Sequence, residues 1–400
     1  MCHTAKTETQ PSVELADVFG LHGNTYKQAH TLTPEQHKVF NAIINCRTHA
    51  LGGHVKQCDQ CDAIQCAYNS CRNRHCPQCE SFKAARWLQT KQAELLPVRY
   101  FHVVFTLPHE LNNLVLYNKK LLYNLLFESA WETVKKLGKD PKRLNGEMGM
   151  LSVLHTWGQN LTQHNHVHCI VPGGTLKNNG QWRSSTKYLF PVKVMSKLFR
   201  GIYMSKLTTL YQQNQLKLPD KLTDSLIGRD VDLLLNQLMR KDWVVYAKPP
   251  FTTPEKLVNY LGRYTHKIAI SNHRILAVNE QSVTFKWRDY ADDNKEKIMQ
   301  LKPGEFIRRF LSHVVPNGFM RIRSFGFLAN ACKAKKVAMI RKTLKHKPKQ
   351  VEKKDTASLM LELTGKDIAL CPVCKQGKLQ AIRSIASTLM KFNQTIVDTS

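Results

Sequence analysis

Acidic residues are scarce in this sequence. Thirty Asp and Glu stand against 59 Lys and Arg, which leaves a formal net charge of +29 over 400 residues. Such an excess of one sign adds self-repulsion to the folded state, so it is typical of proteins that have a polyanionic partner. Nucleic acid is the predicted partner, and an anionic membrane surface is the alternative.

Long hydrophobic runs and a secretory signal are also missing. The longest apolar runs, such as residues 100–105, have the length of a strand and are too short to cross a bilayer. The segment Met1-Cys-His-Thr-Ala-Lys6 lacks the apolar core of a signal peptide. These absences disfavour a membrane partner, and we expect a cytoplasmic protein.

Cysteines are present and unevenly distributed. Of the twelve, six lie within residues 58–79, and the chain contains three pairs with C-x-x-C spacing. In a chain without an export signal, this pattern favours metal ligation over a disulfide framework.

The first two pairs predict a zinc site. Cys58 with Cys61 and Cys76 with Cys79 offer four thiolates, and one tetrahedral zinc ion bound by all four is the simplest arrangement. Three further residues are candidates as substitutes or as ligands of a second ion: Cys66, Cys71 and His75. Arg72 and Arg74 lie between these candidates and are predicted to contact phosphates.

The third pair, Cys371 and Cys374, is half of a site. Its partners would come from elsewhere in the chain, such as Cys332 or His346. A purely structural role without metal is the alternative.

Hydrophobic patterning predicts both helices and strands. The first twenty residues have the character of a loose tail. Strands are predicted at 100–107, 150–157, 166–171 and 243–247, with a hairpin at 275–278 and 283–288. Helices are predicted at 33–46, 81–96, 111–137, 253–266 and 303–313, and 185–239 is mostly helical. Residues 333–354 form a basic run, either a solvated helix face or a DNA contact.

A pair of histidines is the first candidate for chemistry. His166 and His168 lie two apart on a predicted strand, so their side chains share one face and can hold a divalent cation. His164 shares the two-residue alternation of His166 and His168, but it lies closer to a predicted loop. A third ligand is expected from another element, and the candidates are His155, Gln159 or a polar residue on the predicted helix 253–266. The alternative is a histidine-rich surface strand.

A pair of tyrosines is the second candidate. Tyr260 and Tyr264 are four residues apart in the predicted helix 253–266, which places both phenols on one helix face. Core packing is the more common reason for such a pair. The neighbouring Arg263, His266 and Lys267 suit a phosphate backbone instead. A phenol with a pKa near 10 is a poor nucleophile, and a nearby cation would make its attack on a phosphate feasible.

The ordered set of motifs resembles a known family. The segments are Tyr68-Asn-Ser-Cys-Arg-Asn-Arg-His-Cys-Pro-Gln-Cys79, Tyr100-Phe-His-Val-Val-Phe-Thr-Leu-Pro108, His155-Thr-Trp-Gly-Gln159, His164-Asn-His-Val-His168 and Tyr260-Leu-Gly-Arg-Tyr-Thr-His266. Together they cover residues 45–330 and resemble rolling-circle insertion-sequence transposases of the HUH endonuclease superfamily, in the two-tyrosine class with an N-terminal zinc-binding domain.

The resemblance implies a fold of the α+β class and a division of the chain. A central antiparallel sheet with helices forms the HUH-type catalytic body at residues 97–328. A small zinc-binding, DNA-binding domain precedes it at residues 1–96, and a basic helical tail follows at residues 329–400. The histidine strand would lie in the middle of the sheet, with the tyrosine helix against it.

The resemblance also implies roles for the site residues. His166 and His168 would bind Mg²⁺ or Mn²⁺, and structural Zn²⁺ would occupy the cysteine site. Tyr260 and Tyr264 would attack single-stranded DNA at element ends and target, giving 5′-phosphotyrosine links and free 3′-hydroxyls. A replication initiator or relaxase uses the same chemistry, and a non-catalytic zinc-dependent DNA-binding protein is the alternative from another class.

The charge generates the first testable prediction. Affinity for single-stranded DNA should fall about 10³-fold or more when salt rises from about 50 to about 200 mM, because each neutralised phosphate releases counterions. Neutralising the lysines of residues 333–354 should flatten this dependence, measured as the slope of log affinity against log salt. An unchanged slope would show that this run does not touch DNA.

Overall fold

The computed structural model describes residues 13–185, 189–218, 231–251, 256–257, 260, 262, 267–347 and 354–389. These residues form a mixed α+β fold, as the sequence predicts. Within them, every helix is too short or too polar to traverse a lipid bilayer.

Strands and helices follow one another along the whole described chain. The strands are β1 (Gly53–Cys58), β2 (Ile64–Tyr68), β3 (Tyr100–Thr106), β4 (Gly149–Trp157), β5 (Gln163–Pro172), β6 (Gly174–Leu176), β7 (Trp182–Ser184), β8 (Val245–Ala247), β9 (Ile275–Val278), β10 (Val283–Asp289), β11 (Lys295–Leu301), β12 (Ile322–Gly326) and β13 (Leu379–Ile385). The helices are α1 (Leu15–Ala29), α2 (Pro34–Ile44), α3 (Pro77–Glu94), α4 (Asn112–Tyr117), α5 (Lys119–Lys139), α6 (Val192–Gln212), α7 (Val231–Arg240), α8 (Pro303–Ser312), α9 (Lys333–Thr343) and α10 (Thr356–Thr364).

A five-stranded antiparallel sheet forms the centre of the body. Its strand order is β12-β4-β5-β3-β8, so the histidine strand β5 lies in the middle. One face of the sheet, which includes Val103, Phe105 and Val167, packs against α5 and α6 in the largest hydrophobic core. Because side chains alternate along a strand, the opposite face carries the histidines. Covering one face with helices leaves the other available for a site.

Asn118 interrupts the predicted helix 111–137. The structure has two helices there, α4 and α5, because Asn118 adopts a non-helical backbone between them. The Asn118 amide donates hydrogen bonds to the carbonyls of Leu114 and Lys217, at 2.9 and 2.8 Å. The turn fixes the entry of α5 into the core.

The prediction of a loose tail over the first twenty residues is wrong from Leu15 onward. Helix α1 is amphipathic and buries Phe19 between Phe40 of α2 and Phe310 of α8, with ring centroids 4.7 and 5.5 Å apart. The buried residues Leu15, Val18 and Phe19 follow the i, i+3, i+4 spacing of an amphipathic helix, so the sequence itself carries the signal for this helix. This second core also contains β9 and β10 residues.

The C-terminal region contains helices α9 and α10, as expected, and it also adds the strand β13 to the sheet of the N-terminal head. Strand β13 pairs antiparallel with β1, and β1 pairs with β2, in a three-stranded sheet of order β13-β1-β2. The first and last parts of the chain therefore share one sheet. The residues of β13 have no strong apolar run, so hydrophobic patterning does not indicate this strand.

The basic run is partly docked on the protein. Its helix α9 buries Val337 and Ile340, and the Lys336 ammonium contacts the Glu147 carboxylate at 2.7 Å. The Arg341 guanidinium donates to the Ala93 carbonyl at 2.6 Å. Within the described part of the run, the lysines with exposed side chains are Lys335, Lys342, Lys345, Lys347 and Lys354. Neutralising these lysines tests the charge with the least disturbance of packing.

Two glycines of α1 give a matched pair for testing how α1 packs. A Cβ at Gly23 would lie 2.1 Å from the Phe40 ring, whereas a Cβ at Gly20 meets nothing within 4 Å. Gly23→Ala should therefore destabilise the protein by about 1–3 kcal/mol. Gly20→Ala should stabilise it by about 0.5–1 kcal/mol, because alanine is the better helix former. Denaturant unfolding measures both, and equal effects would contradict this packing.

Candidate active site and metal centres

Three histidines meet on the face of the central sheet that is opposite α5 and α6. His166 of β5 lies directly opposite His155 of β4, and His168 follows two residues later on the same face. One nitrogen from each ring lies within 4.8 Å of the others, and all three side chains are buried. His155 thus joins the pair as the third candidate ligand.

A bulge accompanies His155. The β4–β5 register shifts between His155 and Trp157, and the Trp157 ring stacks on the His155 ring at a centroid distance of 4.8 Å. Bulges re-aim side chains next to active sites. The other residues considered for this role are outside the group: the Gln159 amide donates to the Tyr290 hydroxyl at 2.9 Å, and His164, although its ring lies 4.7 Å from the His166 ring, is exposed.

Hydrogen bonds fix which nitrogen each ligand presents. His166 Nδ1 lies 2.7 Å from the His164 carbonyl oxygen, so this nitrogen carries the proton and donates. His168 Nδ1 lies 2.9 Å from His102 Nε2. The remaining nitrogens, Nε2 of His166 and Nε2 of His168, lie 3.1 Å apart and face each other. Metal-binding histidines are held in this way by a partner on the second nitrogen.

His102 connects the histidine cluster to Tyr260. The Tyr260 hydroxyl oxygen lies 2.9 Å from the ring nitrogens of His102. His102 belongs to β3, opposite Ile170 and therefore on the same sheet face as His168. Leu257, three residues before Tyr260, is fully buried in the cluster that includes Ile170. This contact holds Leu257, and with it the neighbouring Tyr260, against the sheet.

The second predicted nucleophile, Tyr264, lies outside the described residues, as do Arg263 and His266. Lys267 is described and lies close enough to His168 to lower its pKa. The helical state of Lys256, Leu257, Tyr260 and Gly262 agrees with the predicted helix 253–266 at those positions.

Burial keeps the site histidines neutral. Burial, together with the neighbouring His168 imidazole, holds the pKa of His166 well below its usual range, and burial with the neighbouring His102 does the same to the pKa of His168. Burial lowers the pKa of His102 to about 3. Neutral imidazoles have the free lone pair that a metal ligand needs. Lys248 adds positive charge, with its ammonium 6.0 Å from the centre of the Tyr260 ring.

The structure separates the two N-terminal C-x-x-C pairs into different clusters. Cys76 and Cys79, at the start of α3, join Cys46 and Cys71, and the four sulfurs lie within 4.8 Å of one another. The Cys79 sulfur is 3.5 Å from that of Cys46 and 3.6 Å from that of Cys71. Thiolates around a tetrahedral zinc have this spacing.

Cys58 and Cys61 lie with the C-terminal pair instead. Their sulfurs form a second group with those of Cys371 and Cys374, again within 4.8 Å. The single four-thiolate site predicted for the two N-terminal pairs is thus not what the fold assembles, because β1 and β2 carry the first pair away from the start of α3 and towards β13.

The other candidates for metal ligation are outside both groups. Cys66 lies on β2 opposite Val55, and His75 is buried beside the charges of Arg321 and Arg74, which with burial hold its pKa well below the usual range. Cys332 directs its thiol to the Gly326 carbonyl oxygen at 3.5 Å. The Arg74 guanidinium donates to the Phe319 carbonyl at 2.5 Å, so it links head and body, while Arg72 is exposed.

Two protein families match this chain. The family described as "Putative transposase" matches residues 149–336, and that described as "Transposase zinc-binding domain" matches residues 18–107. The first range contains the histidine cluster and Tyr260, and the second contains the Cys46 group and the Cys58 pair.

Whole-chain relatives have the same character. The chain is 43% identical over 376 residues to the "Putative transposase y4qJ" of Sinorhizobium fredii, covering 92% of this chain and 94% of that protein. It is 30% identical over 293 residues to the "Transposase for insertion sequence element IS801" of Pseudomonas savastanoi pv. phaseolicola, covering 72% of this chain and 69% of that protein.

The conjugative relaxase TrwC, solved in complex with oriT DNA, has 13% identity, covers 62% of this chain and 73% of its own, and has a TM-score of 0.23, too low for a comparison of folds.

The matches define the protein as a transposase, an enzyme that acts on DNA. More narrowly, the chain belongs to the IS91-type family of rolling-circle insertion-sequence transposases, as its sequence motifs predict.

Two residues of these sites have no clear signal in the sequence. His102 lies within the apolar segment 100–108, but its place opposite β5 depends on strand register, which a lone histidine in an apolar run does not indicate. Cys46 has no C-x-x-C partner, and it lies at the end of the predicted helix 33–46. Its membership of the cluster follows from the chain turning at Arg47, whose φ is +57°.

The Cys46 group gives a prediction about metal content. Cys46→Ser should remove about one zinc ion per chain and lower the melting temperature, as Cys76→Ser should, because a structural zinc contributes directly to folding. Metal analysis of purified protein measures the loss. Cys332→Ser is the matched control, a half-buried cysteine outside both groups, and should keep all zinc. Equal zinc content in the Cys46 and Cys332 variants would contradict the assignment.

Proposed function

We propose that this transposase cleaves and rejoins single-stranded DNA through a covalent 5′-phosphotyrosine link, with Tyr260 as the first nucleophile. The proposal includes Mg²⁺ or Mn²⁺ at His155, His166 and His168, zinc at the Cys46 group, and Tyr264 as the second nucleophile. Single-stranded ends of the element and its target are the proposed substrates. We further propose that the DNA-binding head ends at residue 96 and that the catalytic body ends at residue 328.

The observation that carries the proposal is a continuous chain of contacts. The Tyr260 hydroxyl is 2.9 Å from His102, His102 is 2.9 Å from His168, and His168 is 3.1 Å from His166. A buried tyrosine hydroxyl usually has a hydrogen-bond partner, and here that partner belongs to a histidine cluster with the donor set of a metal site. The Tyr260 hydroxyl is thus connected through His102 to the cluster that would hold the cation.

The direction of these hydrogen bonds follows from the ligand role of His168. If Nε2 of His168 presents a lone pair, its Nδ1 carries the proton and donates to Nε2 of His102. His102 is neutral, so its own proton is on Nδ1 and is donated to the Tyr260 oxygen. His102 therefore stabilises negative charge on the phenol oxygen and orients it. It is a positioning residue.

The histidine cluster fits a divalent cation in its donor set. Three neutral, buried imidazoles on two adjacent strands converge within 4.8 Å, and two of them are held by a partner on the second nitrogen. When bound, the cation would polarise the scissile phosphate and stabilise the charge that develops on it. Imidazole is a softer donor than the oxygen ligands typical of Mg²⁺, so we expect Mn²⁺ to bind more tightly.

The surrounding residues suit a phosphate. Lys248 and Lys267 both act on the pKa of His168 from nearby, and Lys248 lies over the Tyr260 ring. In the proposed step the Tyr260 oxygen forms a bond to phosphorus and the bond from phosphorus to the 3′ oxygen breaks. The phenol loses a proton and the released 3′ oxygen gains one, so one ester replaces another without an external energy source.

The alternatives differ in observable ways. A replication initiator or relaxase would use the same chemistry, but the relatives are transposases. A non-catalytic zinc-dependent DNA-binding protein would bind the same DNA and form no covalent adduct.

The tyrosine mechanism predicts a graded set of effects on adduct formation with labelled single-stranded element ends and Mn²⁺. Tyr260→Phe should lower adduct formation roughly 10⁴-fold or more, because the nucleophile is removed while ring packing stays. His166→Ala and His168→Ala should abolish the adduct and leave DNA binding largely intact. His102→Gln should slow it only about 10–100-fold, as expected for a residue that acts through another.

The readout is the protein–DNA band on a denaturing gel, with DNA affinity measured in parallel. Tyr117→Phe is the matched control, because Tyr117 is exposed on α4 and should behave as the parent protein does. Tyr264→Phe should retain the first adduct and lose complete strand transfer. A double variant, Tyr260→Phe with Tyr264→Phe, that still formed the adduct would exclude the tyrosine mechanism.

A further inference from the structure

The second cysteine group has no place in the proposed reaction. It joins Cys58, the last residue of β1, and Cys61, in the turn that follows, to Cys371 and Cys374, just before β13. We propose that these four thiolates bind a second structural zinc ion, which fastens the C-terminal segment to the zinc-binding head. The matched families end at residues 107 and 336, so neither contains the second half of this site.

The sulfur spacing indicates a metal and argues against a disulfide. The sulfurs of Cys58 and Cys374 are 3.7 Å apart, and those of Cys61 and Cys371 are also 3.7 Å apart. Sulfurs at the corners of a tetrahedron about 2.3 Å from zinc are about 3.8 Å from each other. A disulfide would bring two of them to about 2.05 Å. All four cysteines are free thiols in the structure.

Both halves of the group have the backbone form of a metal-binding knuckle. The backbone N–H of Gln60 points to the Cys58 sulfur at 3.4 Å, and that of Gly377 points to the Cys374 sulfur at 3.3 Å. Such N–H groups stabilise negative charge on sulfur. The residues after the last cysteine of each pair, Asp62 and Lys375, adopt left-handed backbone with φ of +54° and +56°.

The strand pairing explains why the halves meet. Cys58 at the end of β1 is opposite Leu379 at the start of β13. Beyond this pair, the Asp59 N–H donates to the Lys378 carbonyl at 3.1 Å, and the Lys378 N–H donates to the Asp59 carboxylate at 2.7 Å. The pairing thus continues to the edge of the cluster and holds the two knuckles face to face.

Gly377 shows how closely the two segments approach. A Cβ at this position would lie 2.4 Å from the Cys58 sulfur and 2.7 Å from an Asp59 carboxylate oxygen. Only glycine leaves the Cys58 sulfur room in the group. Cys371 and Cys58 are almost completely buried, whereas Cys61 is exposed. The cluster is therefore a closed site with one exposed thiol, that of Cys61. Protection of this thiol from alkylation can be measured.

The first experiment measures zinc in purified full-length protein. Cys371→Ser combined with Cys374→Ser should lower the zinc content by one ion per chain relative to the parent, and Gly377→Ala should lower the affinity of the same ion. Cys332→Ser should change nothing. The zinc that depends on Cys76 should stay in place in all three variants. A folded Cys371/Cys374 double variant with the zinc content of the parent would overturn the proposal.

The second experiment uses the parent protein and needs no variant to fold. Zinc-replete protein is treated with iodoacetamide before and after chelation by EDTA, and labelled cysteines are identified by mass spectrometry. Cys58, Cys61, Cys371 and Cys374 should be protected together and become reactive together when zinc is removed. Labelling of Cys61 in zinc-replete protein would contradict the proposed zinc site. Protection that remains after EDTA treatment would also contradict it, because a disulfide would be protected in that way. Neither measurement depends on strand transfer, so the proposed function can fail independently.

Discussion

The antiparallel register of three strands, β4, β5 and β3, is the constraint on which the active site depends. It places His155 opposite His166, and it places His102 on the same sheet face as His168. A shift of one residue would turn every one of these side chains to the other face, where α5 and α6 pack. The apolar residues that alternate with the histidines therefore do more than form a core. Because these apolar side chains must be buried against α5 and α6, the imidazoles that alternate with them must point to the opposite face.

Much of the site could be predicted from the sequence because strand and helix periods are local. The two-residue spacing of His166 and His168 fixes a common face whatever the partner strands are. The place of β5 in the centre of an antiparallel sheet is confirmed, although it came from the resemblance and not from spacing. The roles of His166, His168 and Tyr260 remain predictions, and the position of Tyr264 is outside the described residues.

What could not be predicted depends on long-range contacts. Cys46 and Cys71 complete one group and Cys371 and Cys374 the other, and spacing along the chain favours the wrong combination. C-x-x-C spacing shows that two thiols can share an ion. Which second pair completes the site depends on strand pairing, because β1 lies beside β13. In the same way, β13 has no strong apolar run of its own and forms a strand by pairing with the edge of β1. Helix α1, by contrast, has the apolar spacing of an amphipathic helix in its own sequence.

The pairing of β1 with β13 also has a consequence for the order of events during synthesis. Cys58 and Cys374 are separated by 316 positions. At a translation rate of roughly 5–20 residues per second, about 15–60 s pass between the synthesis of β1 and that of β13, its second partner strand. During that time one edge of β1 is open to wrong strand partners. The polar residues of β1, His54, Lys56 and Gln57, suit a strand that must stay soluble while it waits. The sheet of the head is thus completed only after the chain between β1 and β13 has been translated.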